Sequence, residues 1–207
     1  MTSKDRAYAY TKQRVLDATY AGGDLLTEGE VAGALGMSRT PVREAFLRLE
    51  GEGLLRLYPK RGALVVPVSA QEVEAVMETR ALVERFAVGK VIARGADVTD
   101  AMHAAIARQE TRAADDDLDG FVEADREYHT AFVAAAGNAI VTALYDSLRD
   151  RQQRMGITAL RREPKRLGEI LDEHRELSDA LAAGDVERAL ALLDAHLDGT
   201  LRLLREG

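Results

Sequence analysis

Four histidines occur in 207 residues, and three of them stand where they could do chemistry together. His129 follows Asp125 by one helical turn, so a carboxylate and an imidazole share a face with Phe121, Tyr128 and Phe132. His174 falls between Leu171 and Leu177, and His196 sits beside Leu193 and Leu197. Each lies on an apolar stripe, so three helices can aim imidazoles into one bundle interior. Three histidines and an aspartate buried in hydrocarbon are costly unless they are hydrogen-bonded or hold a cation. One divalent metal would satisfy Asp125, His129, His174 and His196 at once. Any one of these histidines alone also fits a core residue bonded to a neighbour. Three nitrogens and a carboxylate suit zinc, nickel or iron, with zinc and nickel the first choices. His103 has no such partner and reads as a surface or structural residue.

A second group is cationic. Ser38, Arg39, Thr40 and Arg43 cluster at the start of a helix that follows a tight turn at Gly36. Ala32, Gly36 and Val42 are spaced as the contact of two short helices crossing in a helix-turn-helix, with Val31, Leu35, Met37 and Ala45 completing the core. Those inward positions leave Ser38, Arg39, Thr40 and Arg43 outside, where a recognition helix carries its base and phosphate contacts. The arginine fork matches guanine O6 and N7, and hydroxyls at a helix N-terminus suit phosphate. Lys60 and Arg61, in a turn between two short strands, could reach an adjacent backbone or minor groove. The bland alternative is a small packing pair with solvated arginines.

A three-histidine, one-carboxylate centre could also activate water, which makes a metal-dependent enzyme the alternative function. Against it, the chain has no general base beside those ligands, no Gly-x-Ser-x-Gly elbow, no phosphate loop and no dinucleotide fingerprint. The absence of cysteine removes disulfides, thiolate metal sites and cysteine nucleophiles. The expectation is therefore a protein that is not an enzyme.

The elements that must position these groups can be read from start and stop signals. A helix is expected over about 4–20. Thr27 and Glu30 form a capping box that opens a second, which Gly36 stops, and a third runs over about 39–52. Leu54–Tyr58 and Ala63–Val66 read as strands around the Pro59-Lys60-Arg61-Gly62 turn. From a second capping box, Ser69 with Glu72, the pattern is helical throughout. Six helices are expected, at about 70–94, 99–115, 118–136, 138–156, 163–183 and 185–205, which pack as an antiparallel bundle. The net charge of −7 divides unevenly, about +2 over residues 1–68 and −9 over the rest. A mildly basic domain at 1–68 that can touch phosphate, followed by an acidic one at 69–207, fits that asymmetry. The longest apolar run, Ala63–Val68, is far too short to span a bilayer. With no apolar signal segment at the start, the cytoplasm is the expected location.

Ser38-Arg39-Thr40-Pro41-Val42-Arg43-Glu44-Ala45, then Leu49-Glu50-Gly51-Glu52-Gly53-Leu54 and Pro59-Lys60-Arg61-Gly62-Ala63, resemble the winged helix-turn-helix of GntR-family transcription regulators over about residues 10–67. The resemblance implies that Arg39 and Arg43 read bases, that Ser38 and Thr40 hold phosphates, and that the wing tip Lys60–Gly62 enters the minor groove. Gly29 and Gly33 depart from the pattern, each costing about 1 kcal/mol of helix propensity against alanine. Asp125-Arg126-Glu127-Tyr128-His129, Ala135-Ala136-Gly137-Asn138, Glu173-His174 and His196 look like the FadR C-terminal effector domain, FCD, over about residues 70–204. In metal-binding members, the corresponding Asp and three His hold a divalent ion. Six helices rather than seven suggest the shorter, VanR-like branch of the FadR subfamily. The whole is then mainly α: a winged helix-turn-helix before an all-α six-helix bundle. Its expected partners are a short palindromic operator in double-stranded DNA, a second copy in a homodimer, and a small carboxylate metabolite as effector. Arg80 and Asn138 are candidate effector contacts, although Arg80 could instead simply pair with Glu84 one turn on.

Overall fold

A computed structural model describes residues 1–205. Its first helix, α1 (Ser3–Leu16), starts at a capping box between Thr2 and Asp5 and ends at Asp17. It stops short of the expected Tyr20 because Ala18 turns left-handed, at φ 55°, a conformation that cannot continue a right-handed helix. The Thr27–Glu30 box opens α2 (Glu28–Leu35), and Gly36 closes it at φ 62°. The next helix, α3 (Arg39–Gly51), buries Val42, Ala45, Phe46 and Leu49 against α1 and α2. Two strands follow, β2 (Leu55–Tyr58) and β3 (Gly62–Val65), and pair antiparallel. A two-residue strand not anticipated from sequence, β1 (Leu25–Leu26), pairs with the other edge of β3, so the sheet order is β1-β3-β2. Two residues carry too little pattern to announce a strand, and β1 exists because β3 offers it an edge.

These elements form one compact unit, Met1–Ser69, and the rest of the chain forms a second. The second begins with α4 (Ala70–Arg94), whose buried line Val73, Val76, Met77, Arg80, Val83, Glu84, Ala87, Val88 and Val91 keeps helical spacing. A charged pair thus sits on the core-facing stripe. There follow α5 (Thr99–Ala114), α6 (Leu118–Ala135), α7 (Ala139–Asp146), α8 (Arg149–Arg162), α9 (Arg166–Ala182) and α10 (Val186–Arg205). The described residues therefore make seven helices here and not six: the segment expected over 138–156 breaks at Ser147 and Leu148 into α7 and α8. With that, the helix count that suggested the VanR-like branch no longer supports it. Gly156, read as a stop, lies inside α8. A Cβ there would come 3.2 Å from Val122 Cγ1, so the glycine serves close approach of α8 to α6. Val186, at the start of α10, is exposed, and the buried line of this helix is Ala189, Leu193, His196 and Leu197.

Candidate metal centre and nucleic-acid interface

Helices α6, α9 and α10 bring His129, His174 and His196 together, each fully or almost fully buried. Their ring centroids lie 5.0–5.1 Å apart, and each offers a ligand atom within 4.8 Å of the others. Two of the three Nδ1 atoms are hydrogen-bonded. That of His174 donates to Gln109 Oε1 at 2.9 Å, and that of His196 to Glu173 Oε2 at 2.7 Å. His129 Nδ1 lies 2.9 Å from Glu84 Oε2, although out of hydrogen-bond alignment. All three Nε2 atoms are buried and unbonded. A hydrogen-bonded Nδ1–H leaves the Nε2 lone pair available, which is the tautomer a metal ligand needs.

Electrostatics agree with that state. Burial, reinforced by His196 and His129, holds His174 well below the ordinary imidazole range. For His196 burial likewise prevails over the Glu173 hydrogen bond, and its pKa is lowered. Tyr128 stacks on His174 with centroids 3.8 Å apart and donates its hydroxyl to the His174 carbonyl at 2.8 Å, which fixes the ring plane. Asp125 stands at the edge of the trio. Its Oδ1 is 3.5 Å from His174 Nε2 and accepts from Gln109 Nε2 at 3.4 Å. Three unbonded imidazole nitrogens beside a carboxylate fit a divalent ion of the zinc or nickel kind.

Glu84, Gln109 and Glu173 were missed as supports of these rings. Gln109 is a lone polar residue on the stripe of α5 and carries no spacing signal, whereas Glu84 was legible only as the i+4 partner of Arg80. That pair forms, and it is buried: Arg80 Nε donates to Glu84 Oε1 at 2.7 Å with side-chain exposures of 7% and 0%. Tyr145 donates to the same oxygen at 2.8 Å. Burial alone would raise the Glu84 pKa, but Arg80 and His129 overcome it and hold the carboxyl far below its usual range. Arg80 keeps one terminal nitrogen, Nη2, buried and unbonded. It lines a cavity of about 60 Å³ that Asp125 and His196 also line. Asn138 is elsewhere: its Oδ1 caps α7, accepting from the Ile140 and Val141 amides at 3.1 and 3.3 Å. The structure gives it a capping role away from that cavity.

In the N-terminal unit, Arg39, Arg43, Lys60, Arg61 and Gly62 line one groove of about 890 Å³ between α3 and the β2–β3 turn. Ser38 and Thr40 lie outside its lining, exposed at the α3 N-terminus. The Ser38 hydroxyl makes no capping bond. Arg43 is 72% exposed, with only a 4.0 Å approach to Glu28. A Cβ at Gly29 would come 3.5 Å from the Arg39 guanidinium, an ordinary van der Waals contact, so packing does not require glycine there. At the turn, Lys60 adopts φ 63° while Arg61 N–H donates to Tyr58 O at 3.0 Å. A lysine in that region costs roughly 1–2 kcal/mol that glycine would not. Lys60→Gly is therefore expected to raise the thermal midpoint of this unit slightly, while weakening binding to any duplex and reducing its salt slope by about 1. Melting curves and salt titrations of a labelled duplex check both.

Exposed arginines on a helix beside a basic wing have the arrangement of a DNA-binding winged helix-turn-helix, and a second, all-helical unit gathers three histidines. The chain matches the signature of bacterial regulatory proteins of the gntR family over residues 3–65 and that of the FCD domain over 75–199. It belongs to the GntR family and carries an FCD domain. It is 30% identical over 201 residues to an uncharacterized HTH-type transcriptional regulator of Streptomyces ambofaciens, covering 95% of this chain and 82% of that one. It is 28% identical to the HTH-type transcriptional repressor GlaR of Escherichia coli K12, covering 95% and 93%. A Rhodococcus sp. RHA1 structure described as a transcriptional regulator GntR superposes with TM-score 0.80 at 25% identity, covering 100% and 99%. These relatives are named as transcription regulators and not as enzymes, which sets aside the metal-dependent enzyme alternative. No helix among the described residues is long and apolar enough to cross a membrane.

Proposed function

We propose that this chain is a cytoplasmic repressor whose operator affinity is set by a small carboxylate bound beside a metal ion in the C-terminal domain. The observation that carries the reading is the set of three buried, unbonded Nε2 atoms, two of them on rings held through a hydrogen-bonded Nδ1, next to a cavity holding the spare nitrogen of Arg80. His129, His174, His196 and Asp125 would hold the ion, zinc or nickel. The ion would supply a positive centre for an acidic ligand, and Arg80 would orient the carboxylate by a charge-assisted hydrogen bond. Residues 1–68 bind DNA and residues 69–207 sense. Arg39 and Arg43 read base edges, Ser38 and Thr40 take phosphates, and Lys60–Gly62 enters the minor groove. Two copies related by a two-fold axis read a short palindrome. The ligand shifts the population between two arrangements of the dimer and so changes the spacing of its recognition helices.

A duplex selected from a random library by the purified protein provides the test. Arg43→Ala is expected to weaken that duplex by about 1–3 kcal/mol; undiminished binding would remove Arg43 from the contact set. An acid that acts as effector should change wild-type affinity by about 5–150-fold. Unchanged affinity with every acid of a broad panel would remove effector control.

A further inference from the structure

The cavity beside the histidines has mostly aliphatic walls, with Val76, Met77, Val122 and Leu160 among them. Two nitrogen donors on those walls have nothing to donate to. One is Nη2 of Arg80 on α4, and the other is Nε2 of Gln152 on α8. Of the carboxylates nearby, Glu123 pairs with Arg126 and Arg149, and Asp125 accepts from Gln109. An unmade hydrogen bond at a buried donor costs about 1–3 kcal/mol, more when the donor is charged. A ligand with one carboxylate and a hydrocarbon tail would satisfy Arg80 and strand Gln152.

Resting on the effector reading above, we propose that the ligand carries a second acceptor, a carbonyl or carboxylate oxygen, which takes the Gln152 amide. A carbonyl or carboxylate oxygen takes that amide without bringing a further donor of its own. The volume of about 60 Å³ holds about four to six water-sized groups, which limits the acid to a short chain. Gln152 is then a specificity-determining residue: it selects short oxo- and dicarboxylic acids over fatty acids of the same length. A site that hydrogen-bonds a ligand oxygen discriminates strongly against the analogue that lacks it, because its own polar group is left unpaired.

Isovalerate, acetoacetate and malonate test this, since they share a length and a carboxylate and differ only in a distal isopropyl, acetyl or carboxylate group. Binding to zinc-loaded full-length protein is read by calorimetry and thermal shift. Acetoacetate or malonate is expected to bind wild type at least tenfold tighter than isovalerate. Gln152→Leu should bring that ratio to one or below while isovalerate binding holds or tightens, and Gln152→Glu should weaken malonate most of all. Isovalerate binding wild type as tightly as the other two, or a ratio that survives Gln152→Leu, overturns the role of Gln152 and leaves the effector cavity standing. Binding of none of the three overturns the effector reading itself.

Discussion

Replacing His174 by alanine should abolish divalent-metal binding, and with it the gain in melting temperature expected when zinc is added to wild-type protein. His174 is the most constrained of the three rings. It is held by Gln109 at Nδ1, stacked under Tyr128 and turned so that its free Nε2 faces Asp125. Removing one of three nitrogens opens the trio, and the remaining pair cannot reproduce a closed coordination set. An ion present at a hundred times its dissociation constant stabilises the native state by about 2.7 kcal/mol, so the lost increment is large enough to read in a melting curve. Elemental analysis separates this loss from simple destabilisation, because a folded variant would still melt cooperatively but carry no metal. Glu173→Gln provides the graded version. It keeps the shape but removes the anionic acceptor of His196, and changes of that kind weaken metal affinity by about 10–100-fold. Retention of stoichiometric zinc by folded His174→Ala would remove His174 from the metal site, and wild-type protein that takes up no metal would leave the histidines as a hydrogen-bonded core.

Gly62→Ala should unfold or severely loosen the N-terminal unit. Gly62 lies at φ 116°, where side chains are strained, and a Cβ there would fall 2.2 Å from the backbone oxygen of Leu26. That oxygen belongs to β1, which cannot yield without leaving the edge of β3, where Leu26 pairs with Ala63. Left-handed strain costs about 1–3 kcal/mol, and the clash with backbone adds to it, so a loss of about 3 kcal/mol or more is expected from denaturant unfolding. Duplex binding should fall with it, since the wing turn is displaced. The contrast with Gly23 is informative: its φ is 97° but nothing lies within 4 Å of its added Cβ, so Gly23→Ala should carry only the strain. Equal stability of the two variants would rule out the close approach at Gly62. From sequence, Gly62 belonged to the wing tip only as a groove contact. Its structural role depends on β1, which no local pattern announced.

The N-terminal unit was the more legible of the two, because its signals are local. Thr27 with Glu30, Gly36 and the Pro59–Gly62 turn each act within a few residues, and each does so in the structure. The helices of the bundle were legible for the same reason. The break between α7 and α8 was not, since it falls at Ser147 and Leu148, where no glycine or proline marks it, while Gly156 lies inside α8 and acts through a neighbour on α6. Asn138 illustrates the opposite confusion, a cap taken for a ligand contact.

By itself the sequence determined which faces carry histidine and arginine, because helical periodicity alone decides what shares a stripe. Only the tertiary structure decided that Arg80 and Glu84 are buried together, that Glu84, Gln109 and Glu173 stand behind the three rings, and that Gln152 shares a cavity with Arg80. Spacing along one helix fixes a direction. The partner met in that direction comes from another helix, 23 to 65 residues away in the Glu173–His196 and Gln109–His174 pairs, and packing alone brings the two together.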